Sequence, residues 1–253
     1  LQLLAKRITI DCVKMKIDKS GDRVRRMFGQ IAGRYDLMNH LLSLNVDRYW
    51  RWRTVSKVPA ANGTSVLDVC TGTGDLALAY FKKSKGQTQI VAADFCPEML
   101  EIGAQKGHRA GANGHIRWVE ADAQHMPFPD NSFEVVTVAF GLRNVTNTDA
   151  GLREMVRVCA HGGRVAVLEF STPQWQPFKA IYAAYFRYVL PRIGQLLARN
   201  HEDAYNYLPA SVSDFPQGGE LGRKMLKAGL SDVRWHPLTF GVATLYLGTK
   251  CTE

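Results

Sequence analysis

The chain has 253 residues, 46% of them hydrophobic and 22% charged, with a net charge of +9. That length and balance suit one large domain burying its own core and exclude a low-complexity or collagen-like chain. Five scattered cysteines, Cys12, Cys70, Cys96, Cys159 and Cys251, show no CxxC pair, which argues against a zinc site or a disulfide framework and fits a reducing cytoplasm.

The opening stretch, LQLLAKRITIDCVKMKI, has an apolar run too short and too broken by charge for a signal peptide. Met15 reads as a natural start, so residues 1–17 are expected to be a non-essential extension. Residues 18–58 are expected to form a helical cap and 59–253 the main domain. Residues 1–60 hold 13 Lys/Arg against 5 Asp/Glu, while the remaining 193 residues are nearly balanced. A basic patch confined to one end suits an anionic membrane face, nucleic acid, an acidic substrate or simply solvent. No apolar stretch reaches the roughly 20 residues that span a bilayer.

Within the cap, Val24, Met27, Phe28, Ile31 and Tyr35 recur at helical spacing, and a second helix is expected around LMNHLLSL (37–44), before DRYWRWRTV. Pro59 and AANG mark a loop. Strands and helices then alternate: SVLDVC is a strand and GDLALAYFKK a helix, then QIVAADF and PEMLEIGAQKGHRAG, with Pro97 at the helix start. IRWVEAD and SFEVVTVAFGL are further strands, AGLREMVRVC is a helix ending at AHGGR, and RVAVLEF is a fifth strand. A stripe of Trp175, Phe178, Tyr182, Tyr185, Phe186 and Val189 follows, inside a segment (173–213) expected to be a helical insertion shaping a substrate pocket. GELGRKMLKAGL is a helix stopped by Gly229, and SDVRWHPLTF and GVATLYLGTK form a closing antiparallel hairpin. The alternation predicts an α/β, doubly wound, mostly parallel sheet.

The turn after the first strand, DVCTGTGDLALAY, carries the first functional question. Gly72, Gly74 and Ala77 fit GxGxxA, and Asp94 follows Gly72 by 22 residues, which suits a ribose-binding carboxylate in either a dinucleotide or an S-adenosylmethionine site. Asp68 stands just before the glycines, and Asp122 with Ala123 closes the third strand. A carboxylate repels pyrophosphate and attracts an ammonium or a sulfonium, and an Asp after the third strand can accept from an adenine amino group. Acids after three successive strands therefore favour S-adenosylmethionine over a nicotinamide dinucleotide. Taken singly, Asp94 and Asp122 are equally good helix caps.

VLDVCTGTGDL, AADFCPEML, EADAQHMPFPDNSFEVVTVAFGLRNVTN, GGRVAVLEFSTP and LTFGVATLYLGTK, with MFGQIAGRYDLMNHLLSLNVDRYWR before them, resemble the quinone-biosynthesis C-methyltransferases: the demethylmenaquinone methyltransferases and the polyprenyl-benzoquinol methylases. The resemblance covers roughly Asp18 to Lys250. It implies a class I S-adenosylmethionine-dependent methyltransferase fold, with a seven-stranded sheet containing one reversed strand. It also implies cofactor contacts at Thr73, Asp94, Asp122, Ala123 and Ala139. Members often carry Ser where this chain has Ala139, so only a backbone contact would survive there. Cys70 replaces a frequent glycine and reads as packing.

Carbon methylation of a quinol needs a developing oxyanion stabilised or a proton removed. Arg143 and Asn144, just after the fourth strand, are the candidate catalytic pair. Arg143 stays protonated, so it would lower a hydroxyl pKa or orient a water; a structural pairing with Glu169 is the rival reading. Tyr35, Asp36 and Asn39 are candidates for capping the cofactor or touching substrate, and His40, His201 and Tyr205 for accepting a proton. No metal is expected. The expected activity is methyl transfer to a prenylated quinol such as demethylmenaquinol, in the cytoplasm or at the inner face of its membrane, with a homodimer left open. Methylation of another small molecule or lipid, a basic nucleic-acid-binding protein supported by RYWRWR, and an NAD enzyme stay open at this point.

Overall fold

The computed structural model describes residues 21–176, 178–185 and 202–252. Among these, seven strands form a single sheet: β1 (Ser65–Val69), β2 (Gln89–Asp94), β3 (Ile116–Glu120), β4 (Phe133–Ala139), β5 (Cys159–Phe170), β6 (Leu230–Leu238) and β7 (Ala243–Lys250). The helices are α1 (Gly21–Leu42), α2 (Val46–Lys57), α3 (Asp75–Ser84), α4 (Pro97–Arg109), α5 (Thr148–Val158), α6 (Phe178–Ala184), α7 (Glu202–Asp214) and α8 (Gly219–Lys227).

The sheet order is β3-β2-β1-β4-β5-β7-β6. Neighbours are parallel except that β7 runs antiparallel to both β5 and β6. The closing hairpin and the single reversed strand are therefore as the sequence implies. Val66, Leu67, Val135, Val136, Val165 and Val167 are fully or almost fully buried, the pattern of strands covered on both faces. The chain leaves β1 toward β2 on one side and returns to β4 on the other. That switch point opens a crevice at the C-terminal ends of β1 and β4, where doubly wound sheets bind ligands.

The cap packs over this crevice. Trp50 of α2 is 2% exposed and joins the apolar cluster of Val66, Leu76 and Tyr80, while its ring N–H donates to Thr239 at 2.8 Å. The separate helix expected at 37–44 is not formed. Val24, Ile31 and Met38 lie seven residues apart and keep one buried face going, so α1 runs through to Leu42. The break falls at Leu44 and Asn45, both left-handed at φ 52 and 62. β5 starts at Cys159, so the glycines of AHGG sit in its irregular first half and not in a linker. Of the aromatic stripe, Phe186 and Val189 lie outside the described residues, as does His201.

Candidate active site

Two non-glycine residues hold left-handed backbone at the crevice: Cys70 after β1 (φ 51) and Phe140 after β4 (φ 58). Their loops approach so closely that a Cβ on Gly141 would stand 2.3 Å from that of Cys70. Strained backbone of this kind persists where surrounding structure forces it, and it clusters at working sites. Burial and nearby carboxylates push the Cys70 thiol well above its ordinary pKa, so it is no thiolate nucleophile.

Around these loops lies a cleft with an open volume of about 670 Å³. Gly72, Asp94, Phe95, Met99, Asp122 and Ala123 line one side, and Tyr35, Phe140, Gly141 and Asn144 the other. Asp94 ends β2 and accepts from the amides of Gly72 at 2.8 Å and Cys96 at 2.9 Å. Its burial raises its pKa to about 6, against those amides. Asp122 is exposed and turns back on Gln124, whose amide donates to it at 2.9 Å. Among the described residues, none that lines the cleft is Lys, Arg or His. A pyrophosphate would meet two carboxylates and no cation, whereas a cationic, phosphate-free ligand with an apolar ring fits the same walls.

A second, larger cavity of about 1180 Å³ lies beside the cleft, lined mainly by apolar and aromatic side chains. Trp50, Phe170, Phe178, Tyr182 and Tyr185 form its walls, with Leu42, Leu44 and Val46 from the cap. Arg143 faces it. This guanidinium is 5% exposed and bridges Glu169 at 3.1 Å through Nη1, which also bonds the Phe140 carbonyl. Among the described residues Nε has no partner, nor does the side-chain oxygen of Asn144. Glu169 also accepts from the backbone amides of Arg143 and Phe170, both at 3.1 Å. The Arg143–Glu169 pairing weighed from the sequence is thus present, and it leaves part of the guanidinium free.

Among the described residues only Tyr35 and Phe140 line both spaces. Tyr35 shares a hydrogen bond with Asn39, and burial raises its pKa against that bond and against Arg143 and Arg51. Its ring lies 3.7 Å from where a Cβ on Gly72 would be.

Asp36 does not face either space; it anchors the cap. Lys106 of α4 bonds Asp36 at 2.6 Å, the Thr73 hydroxyl at 3.1 Å and Asp75, and Thr73 in turn donates to Asp36. Arg51 reaches Asp75 at 3.5 Å and pairs with Asp47, which also accepts from Ser43 at 2.6 Å and meets His40 at 2.8 Å. Burial opposes the charges of Asp47 and Asp75, but their partners outweigh it and hold both pKa values below the usual carboxylate value. His40, Asp47 and Asp75 offer ligand atoms within 4.8 Å of one another, yet Arg51 and Lys106 already neutralise those carboxylates.

The sequence-predicted residues therefore separate. Gly72, Asp94, Asp122, Ala123, Asn144 and Tyr35 converge on the cleft, and Arg143 and Tyr35 on the cavity. Asp68 lies beneath the turn, 1% exposed, where the hydroxyls of Thr71 at 2.6 Å and Thr137 at 3.1 Å donate to it; burial lifts its pKa to about 7. Thr73 is buried in the ionic network, Gly74 caps the start of α3, and Ala139 packs against the apolar core at the end of β4; none of these three lines the cleft. Tyr205 belongs to α7, but its side chain is outside the described residues, as is His201. Sequence reasoning missed Phe140, whose only signal was its place before Gly141. It also missed Tyr207, 7% exposed and in electrostatic contact with Arg143 and Glu169.

A family model described as the ubiE/COQ5 methyltransferase family matches residues 15–250. The chain is 45% identical over 234 residues to "Ubiquinone/menaquinone biosynthesis C-methyltransferase UbiE" of Geobacter sp. (strain M21), covering 92% of this chain and 99% of that protein. It is 46% identical to "Demethylmenaquinone methyltransferase" of Deinococcus radiodurans, covering 93% and 95%. In fold it resembles a solved S-adenosylmethionine-dependent methyltransferase from Aquifex aeolicus, with TM-score 0.58, 17% identity and coverage of 79% and 88%.

Proposed function

The chain belongs to the ubiE/COQ5 methyltransferase family, and from that premise we propose that it transfers a methyl group from S-adenosylmethionine to a ring carbon of a prenylated quinol. Demethylmenaquinol is the preferred substrate and the benzoquinol precursor of ubiquinone the second; the names of the two relatives above cover both. One observation carries the reading. A cleft without a basic residue among the described ones and an apolar cavity meet at Tyr35 and Phe140, with a half-satisfied arginine on the cavity side.

When bound, S-adenosylmethionine supplies a methyl on a positively charged sulfur, already a good leaving group for in-line displacement. Asp94 would hold the ribose hydroxyls, and Asp122 with the Ala123 amide the adenine edge. Phe95 and Met99 would flank the ring. The isoprenoid tail would fill the apolar cavity, at about 25 cal/mol per Å² of apolar surface buried. With the tail there, the quinol ring lies at the junction. One ring hydroxyl would face the free edge of Arg143, and the neighbouring carbon the cleft.

Arg143 stays protonated and cannot act as an ordinary base. Its free N–H groups lower the pKa of the facing hydroxyl, and the resulting phenolate shares charge with the ring carbon. Glu169 holds the guanidinium in place. Tyr35 fixes the ring between the two spaces, and alignment of this kind is worth several kcal/mol of barrier. The hydroxyl proton leaves to solvent or to a group on the cavity wall, and the hydrogen on the newly methylated ring carbon then moves to the ring oxygen as the ring becomes aromatic again, so one proton is released per methyl transferred. The reading extends to location: the basic segment 1–60 would meet an anionic membrane face on the cytoplasmic side, where the lipid substrate resides. Among the described residues no helix is long and apolar enough to cross a membrane.

The test is a product analysis. Labelled S-adenosylmethionine and reduced demethylmenaquinone are incubated with the protein in detergent, and the label is located by mass spectrometry. The expected product carries it on a ring carbon. Transfer only to oxygen, or to no quinol, overturns the reading.

A further inference from the structure

We propose that the mouth of the apolar cavity is a bilayer-docking rim, through which a lipid substrate passes from the membrane into the protein. This rests on the prenylated-quinol reading and names the surface that would deliver that substrate.

Leu44 lines the cavity and is 73% exposed, so it marks where the cavity opens. Leu37 and Leu41 precede it on α1, 59% and 40% exposed. Phe178 also lines the cavity, and its ring packs on Phe240 with centroids 4.9 Å apart. Phe240 stacks on Trp175 at 6.0 Å, and these two are 67% and 61% exposed. Three stretches far apart in the chain thus bring large apolar side chains to one opening and leave them in water. Isolated exposed apolar residues are ordinary, whereas a cluster continuous with an apolar cavity marks an interaction site.

Charge selects the occupant. Residues 37–57, 171–185 and 239–242 supply the walls of the mouth, and among them the only acid is Asp47, which is buried and paired. Arg48 and Lys179 are exposed beside Leu44 and Phe178, and Arg53 and Lys57 lie further along α2. Aromatic and aliphatic side chains ringed by cations that have no acid partner among the described residues fit an anionic lipid interface: the apolar groups enter the acyl boundary and the cations meet headgroups. A protein partner of ordinary composition has no need of such one-signed charge, and a second copy of this rim would be repelled by it.

The test uses the full chain and two double variants, neither replacing a cavity-lining residue: Trp175→Gln with Phe240→Gln, and Arg48→Glu with Lys179→Glu. Co-sedimentation with phosphatidylcholine vesicles, with and without phosphatidylglycerol, is the first measurement. The parent should prefer the anionic vesicles. The aromatic pair should bind them roughly tenfold more weakly, and the charge pair should lose the preference. Turnover is the second measurement. Both variants should match the parent on a demethylnaphthoquinol with a short, water-soluble tail, and fall below it on a long-tailed quinol embedded in vesicles. Vesicle binding unchanged in both variants overturns the proposal. So does an equal loss on soluble and embedded substrate, or a change in sedimentation velocity showing that the rim joins two copies. A parent that binds anionic vesicles but methylates neither quinol would defeat the functional reading alone and leave the rim standing.

Discussion

The guanidinium of Arg143 is the most exacting single group in the site, because its two edges do different work. Nη1 is committed to Glu169 and the Phe140 carbonyl, while Nε is buried without a partner among the described residues. A buried donor left unmade costs about 1–3 kcal/mol, which a ligand oxygen would recover. Arg143→Lys keeps the charge beside Glu169 but loses the planar fork. The variant should fold, bind S-adenosylhomocysteine as the parent does, and lose about 10²–10³ in kcat; calorimetry and steady-state kinetics check the two halves. Arg143→Leu, by contrast, strands Glu169 as an unpaired buried charge and should lower stability by about 3–5 kcal/mol, so it cannot isolate the chemistry. Tyr207 allows a cleaner subtraction. Its buried hydroxyl has no hydrogen-bond partner among the described residues, so Tyr207→Phe should leave the Tm unchanged or slightly raised. A fall in kcat without a fall in Tm would place that hydroxyl on the substrate. At this scale the sequence exposed Arg143, because a cation directly after a central strand must lie at the crevice. It named Tyr205 and passed over Tyr207, because which of the two faces Arg143 depends on how α7 is rotated, and no spacing in the sequence sets that.

Elements meet here through missing side chains as much as through present ones. The Trp118 ring of β3 occupies a slot bounded by Gly103 and Gly107 of α4 and by Gly74 at the start of α3: Cβ atoms there would stand 2.4, 3.2 and 2.3 Å from it. Gly74 is also left-handed, at φ 79, and ends the ligand-binding turn. Gly103→Ala should therefore overpack the slot, lower stability by about 1–3 kcal/mol and push the indole toward the turn. The expected result is a Tm lower by several degrees together with weaker S-adenosylhomocysteine binding; Trp118→Leu in the same background should recover most of both. If Gly103→Ala lowers the Tm but leaves binding untouched, the slot is a packing feature alone. The strands and most helices were legible because apolar runs end at Gly, Pro or Asn, as at Pro97 and Asn147. α1 was misjudged as two helices, although it carries Gly29 and Gly33 in its interior. Gly29 faces Glu98, whose carboxylate lies 3.3 Å from where its Cβ would be. The Asp36–Lys106–Asp75–Arg51–Asp47 chain was invisible for a related reason: its members come from four helices and share no spacing in the sequence.

Taken whole, the molecule holds two populations of buried or half-buried carboxylates with opposite pH behaviour. Asp47 and Asp75 clamp the cap to the sheet domain, and their lowered pKa values add stability that is present above about pH 4 and lost as pH falls below it. Asp68 and Asp94 sit at the crevice with pKa values raised to about 7 and about 6. For an acid the sign is then reversed: the folded protein holds more protons than the unfolded chain between pH 4 and those values. The stability they contribute is present below about 4 and is lost as pH rises through 6 and 7. Each pH unit across that window is worth up to about 1.4 kcal/mol per group. His236, with its pKa lowered, acts oppositely but only below its unfolded value of 6.5. Ligand-free protein should thus be most stable near pH 4, lose Tm as pH rises to about 7 and change little from there to pH 8, while Asp94→Asn should flatten the part of that loss lying below pH 6. A ligand that donates hydroxyls to Asp94 favours its charged form, so saturating S-adenosylhomocysteine should also flatten the slope in the parent and leave the Asp94→Asn profile nearly as it was. Thermal melts of both proteins, with and without the ligand, at half-unit steps from pH 4.5 to 8 decide the matter. A parent whose Tm rises toward pH 8, or a ligand effect on the slope as large in Asp94→Asn as in the parent, would show that this carboxylate does not couple the crevice to the fold.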